Sequence, residues 1–509
     1  MSNPIGIVGR HTSFDLTAEH KAAITANDPL TVVIGIPGSG KSGVLCGHIR
    51  FLTTASDARP PWASHQQIVA LAFTARSATE IIIRLHTNDP DGRWNQSGEH
   101  PEAPFVGTHH KFLLWLINQY KELLGYPEHI KKLRFITDQH RHNLMIDIGN
   151  DLRRRQNQTR VFVDETGIEA KTQARIQSLI TEKGWIDYQR LVNGCKQLLD
   201  NPQVREELRQ RRFRLLIDEA QDLGEEESAI YDKLPTETRF IVGDRAQAIF
   251  FQKETSLLQH YANQPGARII ELRHNFRSFP NICLAAYQLI QNHRPELVET
   301  PPQAVRTPSR PDAPTVIFWE CDDDDDQTKM AIKLIKHYSE VAPKRYQLNE
   351  VALLYQDTYQ ANLLQKACAN EGIPVFDPSS LEREPENHNP YTAPSPLVQP
   401  NAVNLVKVTQ CKGLEFPTVI IPFCTQKNWP GKTDYNLSRR QLYTAMTRAQ
   451  NTVHFLYHSD TEASLAEKTG RPVSNYPTRV VTAASPFLKE MNQPQRVAVT
   501  YLSRETNPA

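Results

Sequence analysis

Short, uninterrupted apolar runs recur along the chain and predict buried strands. Seven segments carry this pattern: Thr31–Ile34, Ile68–Phe73, Leu215–Ile217, Phe240–Val242, Val351–Tyr355, Val403–Val408 and Val419–Pro422. Such runs are typical of parallel strands that are covered on both faces, whereas half-exposed strands alternate apolar and polar residues. Helical stretches separate the runs, so the sequence predicts an α/β fold built on parallel sheets.

The texture of the sequence changes between about residues 112 and 202. This stretch is charged and mostly helical in pattern, and it contains few strand-like runs. It predicts a helical subdomain, inserted at about 110–205 into the first α/β domain. Two Pro-rich stretches, 294–315 and 374–400, predict exposed connections.

These features give a predicted domain organisation. The first α/β domain covers residues 1–270, with the helical insertion, and the second covers 271–490. The chain after about Ala484 has the composition of a fraying end. We therefore predict a tail over 491–509.

Two charged segments leave alternatives open. Asp322–Asp326 is a run of five acidic residues, which could hold a cation but is better explained as a solvated loop after a strand. Arg209–Arg214 contains four arginines among its six residues, the other two being Gln210 and Phe213, and it fits two interpretations equally well. It could contact phosphates, or it could lead into the next strand.

Composition narrows the class of protein. The 509 residues are 39% hydrophobic and 23% charged, which is ordinary for a globular enzyme. No apolar run approaches the roughly 18 residues that a membrane span needs, and no secretory signal is evident. The seven cysteines contain no C-x-x-C pair, so we expect free thiols, no zinc site and a cytoplasmic location. The net charge of +1 means that any nucleic-acid surface must be a local patch.

The segment GIPGSGKS, residues 35–42, is the strongest single motif. It follows an apolar strand and matches the phosphate-binding loop G-x-x-x-x-G-K-[ST]. Gly35, Gly38 and Gly40 allow backbone angles that turn amides toward phosphate oxygens, and the following helix N-terminus favours an anion. Lys41 would neutralise the β- and γ-phosphates, and Ser42 would hold Mg²⁺.

Two further strands end in polar groups. LLIDEAQDL, residues 215–223, places Asp218 and Glu219 at the carboxyl end of a strand, where one carboxylate can hold Mg²⁺ and the other can accept a proton from water. The alternative is a helix cap with an acidic first turn. IVGDRAQAIF, residues 241–250, brings Gln247 after another strand, and on its own this glutamine is best explained as a surface residue.

Seen together, the motifs resemble superfamily 1A helicases of the UvrD/Rep/PcrA family. DEAQD and GDRAQAIF resemble the family's motifs II and III. The other motifs follow in order: LAFTARSATE (71–80), GTHHKF (107–112), HNFRS (274–278), VTQCKGLEF (408–416) and LYTAMTRAQ (442–450). The resemblance runs from about residue 16 to residue 457, and the ordered set is far more specific than any one motif.

The resemblance implies two RecA-like parallel-sheet domains that bind ATP and Mg²⁺. It implies that Glu219 is the catalytic base, that Gln247 senses the γ-phosphate, and that Arg277 and Arg448 reach that phosphate from the second domain. It places Mg²⁺ near Ser42 and Asp218, the ribose near Glu415 and the adenine near Phe276. The full ATP-binding set that it implies is Gly35, Gly38, Ser39, Gly40, Lys41, Ser42, His20, Gln221, Phe276 and Glu415.

The resemblance also implies a nucleic-acid substrate. The positions that would line a single strand of DNA are Phe73, Thr74, Thr108, His110, Phe250 and Thr409. Aromatic faces and phosphate donors suit this task, although Phe73 could equally be a core residue. The implied activity is ATP-driven stepping along single-stranded or partly duplex DNA in the 3′→5′ direction, with unwinding as a consequence.

The sequence departs from the family's pattern at several positions. His20 replaces the adenine-reading Gln, and Gly43 replaces an Arg that can stack on the base, so we expect relaxed selectivity for adenine. Gln252 replaces a base-stacking aromatic residue, with Lys253 in place of the following Arg, and Gln410 replaces the motif V His.

The inserted 2B subdomain of UvrD and Rep has no room here. Only about 28 residues separate Val375 from Val403. The compact layout is similar to that of the helicase subunit of the Gabija antiphage system. An alternative function is therefore a partner-dependent regulatory ATPase, or a sensor of DNA ends or nucleotides that works with a nuclease. A small-molecule kinase would leave the later motifs unexplained.

Overall fold

The computed structural model describes most of the chain. The described residues are 16–55, 60–86, 105–136, 138–159, 165–249, 256–298, 300–310, 313–340, 347–377, 399, 401–430, 434–458, 460–461, 480–482, 484–491 and 499–503. Its strands, in chain order, are β1 Leu30–Gly35, β2 Ile68–Ala72, β3 Phe105–Thr108, β4 Arg134–Phe135, β5 Trp185–Ile186, β6 Phe213–Ile217, β7 Thr236–Gly243, β8 Arg268–Leu272, β9 His274–Asn275, β10 Gln303–Ala304, β11 Val316–Cys321, β12 Val351–Tyr355, β13 Val375–Phe376, β14 Val403–Lys407, β15 Phe416–Ile421, β16 Ala449–His458, β17 Asp460–Thr461, β18 Val480–Thr482 and β19 Val499–Ser503.

The α-helices lie before and between these strands along the chain. In chain order they are α1 Ala18–Ile24, α2 Lys41–Thr53, α3 Ala75–His86, α4 His109–Gln119, α5 Asp138–Thr159, α6 Glu165–Lys183, α7 Tyr188–Asp200, α8 Pro202–Gln210, α9 Glu225–Lys233, α10 Leu257–Ala262, α11 Pro280–Gln291, α12 Asp324–Glu340, α13 Thr358–Asn370, α14 Tyr435–Met446 and α15 Pro486–Met491. No helix among the described residues is long and apolar enough to cross a membrane.

The chain divides into two compact units. The first unit comprises Met1–Phe51, Glu219–Asp222 and Ile241–Ala509, and the second comprises Leu52–Asp218 and Leu223–Phe240. The first unit therefore carries segments of both predicted domains. The domain boundaries near residues 270 and 490 remain predictions.

The second unit is built around parallel strands and a set of helices. β2 pairs in parallel with β3 and with β6, and every residue of β2 and β6 is buried. Helices α4 to α8 follow one another between residues 109 and 210, and Ile176 and Ile180 of α6 pack against Ile136 in a small core of their own. The helical texture expected from the sequence is thus present, while its description as an inserted subdomain stays a prediction.

The first unit contains a seven-stranded sheet. Its strand order is β13–β14–β12–β15–β16–β11–β19, and each of its pairings is parallel. One face packs Phe318, Phe416 and Phe455 against residues of α11, α14 and α15. The opposite face packs Trp319 and Leu353 against residues of α12 and α13. Burial on both faces explains the continuous apolar runs of these strands. β1 and β8 of the same unit also pair in parallel.

The α/β fold with parallel sheets is confirmed, and all seven strands expected from apolar runs are present. Two other expectations are wrong. The described residues after Ala484 are not a fraying end, because α15 buries Phe487, Leu488 and Met491 and β19, within the predicted tail, extends the sheet beside β11. The acidic run is not a loop throughout, because α12 begins at Asp324, where carboxylates favour the positive end of the helix dipole.

The arginine cluster at 209–214 leads into β6, which agrees with the interpretation of this segment as the start of a strand. Arg209 pairs with Glu206, and Arg212 lies 3.3 Å from the Glu237 carboxylate. Arg214 is buried within β6. Acidic partners thus neutralise Arg209 and Arg212, while the guanidinium carbon of Arg211 lies 5.3 Å from the Trp115 ring centre.

Candidate nucleotide site

The phosphate loop of the first unit is folded tightly on itself. β1 ends at Gly35, and α2 begins at Lys41. Gly38 and Gly40 have φ angles of +71° and +80°, which favour glycine. A Cβ on Gly35 would lie 2.5 Å from Ser39 Oγ, and one on Gly38 would lie 2.6 Å from Arg277 Cβ. The loop conformation therefore requires glycine at these positions, as the motif predicts.

Lys41 is held over the loop by its own backbone. Its Nζ donates hydrogen bonds of 2.9 Å to the carbonyl oxygens of Gly35 and Ile36, and it lies 4.0 Å from Asp244 Oδ2. Ser39 Oγ and Asp244 Oδ2 are buried without a hydrogen-bond partner. An ammonium, a helix N-terminus and an unsatisfied hydroxyl at one loop fit a phosphate group.

The DEAQD segment is fixed by its glutamine. Glu219 has a φ of +53°, which is rare for a residue with a side chain. Gln221 Nε2 donates to Glu219 Oε2, while Gln221 Oε1 accepts a 2.9 Å bond from the Asp244 amide. Burial opposes ionisation, but Lys412 and Lys41 outweigh it and lower the pKa of Glu219. Glu219 is thus an oriented carboxylate that precedes a short 3₁₀ helix, and the cap of the following α-helix, α9, is Gly224.

Asp222 and Lys412 form a buried ion pair that sequence reasoning did not single out. Their side chains are 0% and 8% exposed, and Lys412 Nζ donates to Asp222 Oδ2. Burial raises the pKa of Asp222 to about 7, and Lys412 opposes this shift. The pair ties DEAQD to the VTQCKGLEF segment, and Lys412 also supplies positive charge to Glu219. Only the fold reveals it, because 190 positions separate the two residues.

Asp218 lies in the second unit, at the end of β6. Its amide donates a 2.8 Å bond to the Leu71 carbonyl, and its side chain is buried. No group of three or more His, Cys, Asp or Glu side chains among the described residues could hold a metal ion. Mg²⁺ is commonly held by one or two protein oxygens together with substrate phosphates. Asp218 carries an oxygen of that type in the second unit, Ser42 carries one in the first unit, and their role as Mg²⁺ ligands stays a prediction.

The two arginines lie in the same compact unit as Lys41. Arg277 Nε donates a 2.7 Å bond to Glu415 Oε2, and its Nη1 reaches the Thr447 carbonyl at 3.3 Å. Arg448 Nε donates to the Thr444 carbonyl at 2.9 Å. Burial, followed by the charge of Arg277, lowers the pKa of Arg448 to about 10, so it remains a cation at neutral pH. Both guanidinium groups are therefore oriented in advance by fixed acceptors.

Thr447 joins three of the predicted catalytic side chains, and sequence reasoning missed it. Its hydroxyl accepts bonds from Gln247 Nε2 at 3.4 Å and from Arg448 Nη2 at 3.3 Å. The same hydroxyl donates to the Thr444 carbonyl at 3.0 Å. Gln247 is buried rather than a surface residue, so the alternative weighed for it is wrong. The signal in the sequence that could have identified Thr447 is its position as a polar residue directly before Arg448.

Replacing Thr447 with Val should slow ATP turnover by about ten- to a hundredfold. Valine keeps the shape but removes a buried acceptor for a charged donor, a loss of roughly 1.5–3 kcal/mol. Thr447→Ser retains the hydroxyl and serves as the matched control, with turnover close to that of the wild type. Steady-state ATP hydrolysis checks this, and equal rates for the Val and Ser variants would contradict the role of the hydroxyl.

The predicted nucleoside-binding residues lie beside the loop. His20 is buried, its Nε2 donates a 2.8 Å bond to the Ser39 carbonyl, and its Nδ1 lies 2.6 Å from Thr17 Oγ1. The Phe276 ring lies 5.5 Å from the His20 ring, and Glu415 also accepts a 3.1 Å bond from Gln450. His20 thus braces the phosphate loop, and its role in reading adenine remains a prediction. A Cβ atom added to Gly43 would have no neighbouring atom within 4 Å. The space that the family fills with an Arg side chain is therefore open beside this residue.

The residues expected to contact DNA are divided between the two units. Phe73, Thr74, Thr108 and His110 belong to the second unit, and Thr409 belongs to a short 3₁₀ turn of the first unit. Thr74 accepts a 3.1 Å bond from the Ser77 amide, and Thr108 caps α4 by accepting from the Lys111 amide at 3.3 Å. Phe73 is half-buried against His109. Phe250, Phe251, Gln252 and Lys253 lie outside the described residues.

His109, which lies next to the Phe73 and His110 rings in the second unit, is a buried imidazole with neither nitrogen bonded. We expect His109→Phe to raise the free energy of unfolding by about 1–3 kcal/mol, because it removes an unsatisfied polar group. Burial holds the pKa of His109 well below its usual range, so the unfolded chain takes up the proton first. The wild type should therefore lose stability as pH falls below about 6.5, and the variant should lose less.

Urea unfolding at pH 8 and pH 5 measures this difference. His129→Phe, at an exposed position of the same unit, is the matched control and should follow the wild type. An unchanged or lower free energy of unfolding of the His109 variant at both pH values would show that the imidazole does not destabilise the fold.

Comparison with known proteins identifies the family. Residues 19–253 match a family described as an AAA domain. Residues 270–382 and 403–456 match two families described as UvrD-like helicase C-terminal domains. The chain belongs to the UvrD-like superfamily 1A helicases. These matches bring no support for the likeness to the Gabija subunit.

Individual relatives are distant. The chain is 22% identical over 406 residues to ATP-dependent DNA helicase Rep of Buchnera aphidicola, a match that covers 72% of this chain and 58% of that protein. It is 21% identical to ATP-dependent DNA helicase PcrA of Staphylococcus epidermidis, over 71% of this chain and 50% of PcrA. It is 24% identical to DNA helicase II of Escherichia coli, over 70% of this chain and 51% of that protein. The chain thus spans about half the length of these curated relatives.

A solved structure is also similar in part. It is the C-terminal domain of a possible DNA helicase from Lactobacillus plantarum, 18% identical, and the match covers 44% of this chain and 98% of that one. The TM-score is 0.27, which carries no argument about the fold.

Proposed function

We propose that this protein is an ATP-dependent translocase and helicase that acts on single-stranded DNA. The observation that carries the proposal is the bonded set around Thr447, which links Gln247, Arg277 and Arg448 within the unit that also holds the phosphate loop. Relatives named as ATP-dependent DNA helicases and as DNA helicase II support it. Bound ATP would supply the phosphoanhydride, and Mg²⁺, for which Ser42 beside Lys41 is a proposed ligand, would supply charge that the reaction requires.

The protein's own residues would divide the work of hydrolysis. The loop amides and Lys41 bind the phosphates, and Glu219 accepts the proton of the attacking water. Gln247 orients that water, while Arg277 and Arg448 stabilise the charge that develops on the transferred group. The charges of Lys412 and Lys41 outweigh the effect of burial and lower the pKa of Glu219. Its carboxylate therefore stays ionised and can accept a proton.

The energy would be used to move DNA. Phe73, Thr74, Thr108, His110 and Thr409 are the described residues proposed to contact the strand. Thr409 belongs to VTQCKGLEF, the segment that also carries Lys412 and Glu415. Contacts with DNA and contacts at the nucleotide site therefore meet in one short stretch of chain. We propose movement in the 3′→5′ direction, as in the family.

Strand separation tests this proposal. A duplex with a 3′ single-stranded tail should be unwound in the presence of ATP and Mg²⁺, and a duplex with a 5′ tail should not. Lys41→Ala is the matched inactive control. Unwinding from the 5′ tail would refute the polarity. ATP hydrolysis without unwinding of either substrate would favour the alternative, a regulatory ATPase that needs a partner.

A further inference from the structure

A buried arginine of the first unit lies between two aromatic rings. The Arg439 side chain is 2% exposed, and its guanidinium carbon lies 4.9 Å from the Tyr435 ring centre and 5.1 Å from the Phe487 ring centre. Arg439 belongs to α14, and Phe487 belongs to α15. A desolvated guanidinium between aromatic faces is held by cation–π attraction but still needs a counter-charge.

Glu490 of α15 supplies that charge. Arg439 Nη2 lies 3.1 Å from Glu490 Oε1 and 3.3 Å from Oε2, and Nε lies 3.3 Å from Oε2. The same carboxylate lies 3.0 Å from His293 Nε2, two residues beyond the end of α11. The Asn292 side-chain amide reaches the Glu490 carbonyl at 3.5 Å. Glu490 therefore ties α14 and the end of α11 to α15.

Both helices lead to arginines of the nucleotide site. α11 begins at Pro280, three residues after Arg277, and α14 ends at Met446, two residues before Arg448. Glu490 contacts α14 near its first turn and the chain just after α11, so it holds the helix ends that lie farthest along the chain from these arginines. A helix is a stiff rod of about 1.5 Å per residue, and a tilt at one end displaces the other.

We propose that Glu490 is a positioning residue for ATP hydrolysis, which acts through α11 and α14 to set the places of Arg277 and Arg448. This inference rests on the proposed function of those arginines. α15 is suited to the task because Phe487, Leu488 and Met491 anchor it in the same apolar core as α11 and α14. Helix α15 therefore helps to fix the positions of the catalytic arginines. We call the contacts of Glu490 with Arg439 and His293 the clasp.

Glu490→Gln tests the clasp. It preserves shape but leaves the buried Arg439 charge without its partner, which allows α14 to shift. We expect kcat for ATP to fall by about tenfold or more, since a displacement of roughly 1 Å can cost about a hundredfold. The KM for ATP should stay within about twofold. The control is Glu371→Gln, which breaks an exposed pair with Lys336 in the same unit and should leave turnover unchanged.

A second arm separates positioning from simple loss of stability. In an Arg277→Lys, Arg448→Lys background, Glu490→Gln should reduce kcat little further, because both residues through which it acts are already altered. Independent, multiplied losses, or a kcat equal to that of the Glu371 control, would overturn the proposal.

A readout without activity covers the case in which the proposed function itself fails. Deuterium uptake of the amides at 444–448 should rise in Glu490→Gln and not in Glu371→Gln. If the wild type hydrolyses no ATP, the proposed function is refuted, and this uptake alone decides whether the clasp exists. Unchanged uptake would refute the clasp.

Discussion

Lys41→Ala should reduce ATP turnover by at least about a hundredfold while the protein stays folded. The Lys41 ammonium is fixed by two loop carbonyls and faces Asp244 and the charge of Glu219. It is already placed where phosphate charge would lie. Removing one such preorganised group typically costs roughly 10²–10³ in rate, because nothing else in the loop carries positive charge.

Steady-state hydrolysis and a thermal melt measure the two parts of this expectation. The matched control is Lys336→Ala, which removes an exposed ammonium of the same unit that pairs with Glu371 at 2.6 Å. It should hydrolyse ATP at the wild-type rate. A Lys41 variant that keeps more than about a third of wild-type turnover would place the phosphate-binding function elsewhere.

Glu219→Gln should abolish hydrolysis but preserve nucleotide binding. The substitution keeps the size of a side chain that Gln221 orients, yet it removes the group that accepts a proton. Loss of a general base costs on the order of 10²–10⁴ in rate. Lys41 and the loop amides are untouched, so the affinity for ATP should change by less than about tenfold.

Turnover and the binding of a fluorescent ATP analogue distinguish these effects. Glu206→Gln, at an exposed carboxylate that pairs with Arg209, serves as the control and should behave as the wild type. Full activity of Glu219→Gln would refute its role as base. A loss of binding as large as the loss of turnover would mean that Glu219 acts on nucleotide affinity instead.

The strands could be predicted because a strand buried on both faces needs a continuous run of apolar residues, which is visible in the local sequence. Val351–Tyr355 is apolar at each position and is a strand with both faces covered. The end of the chain could not be predicted in the same way. α15 has only six residues, too few to show a helical period, and its stability comes from Phe487 and Glu490 meeting partners far along the chain.

The same distinction holds at the nucleotide site. Gly38 and Gly40 were predicted from the motif, since a left-handed backbone is a local requirement. Thr447, Asp222 and Lys412 gain their places only when segments about 200 residues apart meet, which no local pattern encodes. His20 could be identified by position, but its bond to the Ser39 carbonyl depends on how α1 packs against the loop.

The most direct test of the proposed function is ATP hydrolysis by the purified chain with no nucleic acid, with single-stranded DNA and with single-stranded RNA. Low and moderate salt should both be used, because phosphate-dominated binding weakens steeply with ionic strength. We predict strong stimulation by single-stranded DNA, which weakens as salt rises. A rate that is indifferent to both polymers would contradict the proposal that this ATPase drives movement along DNA.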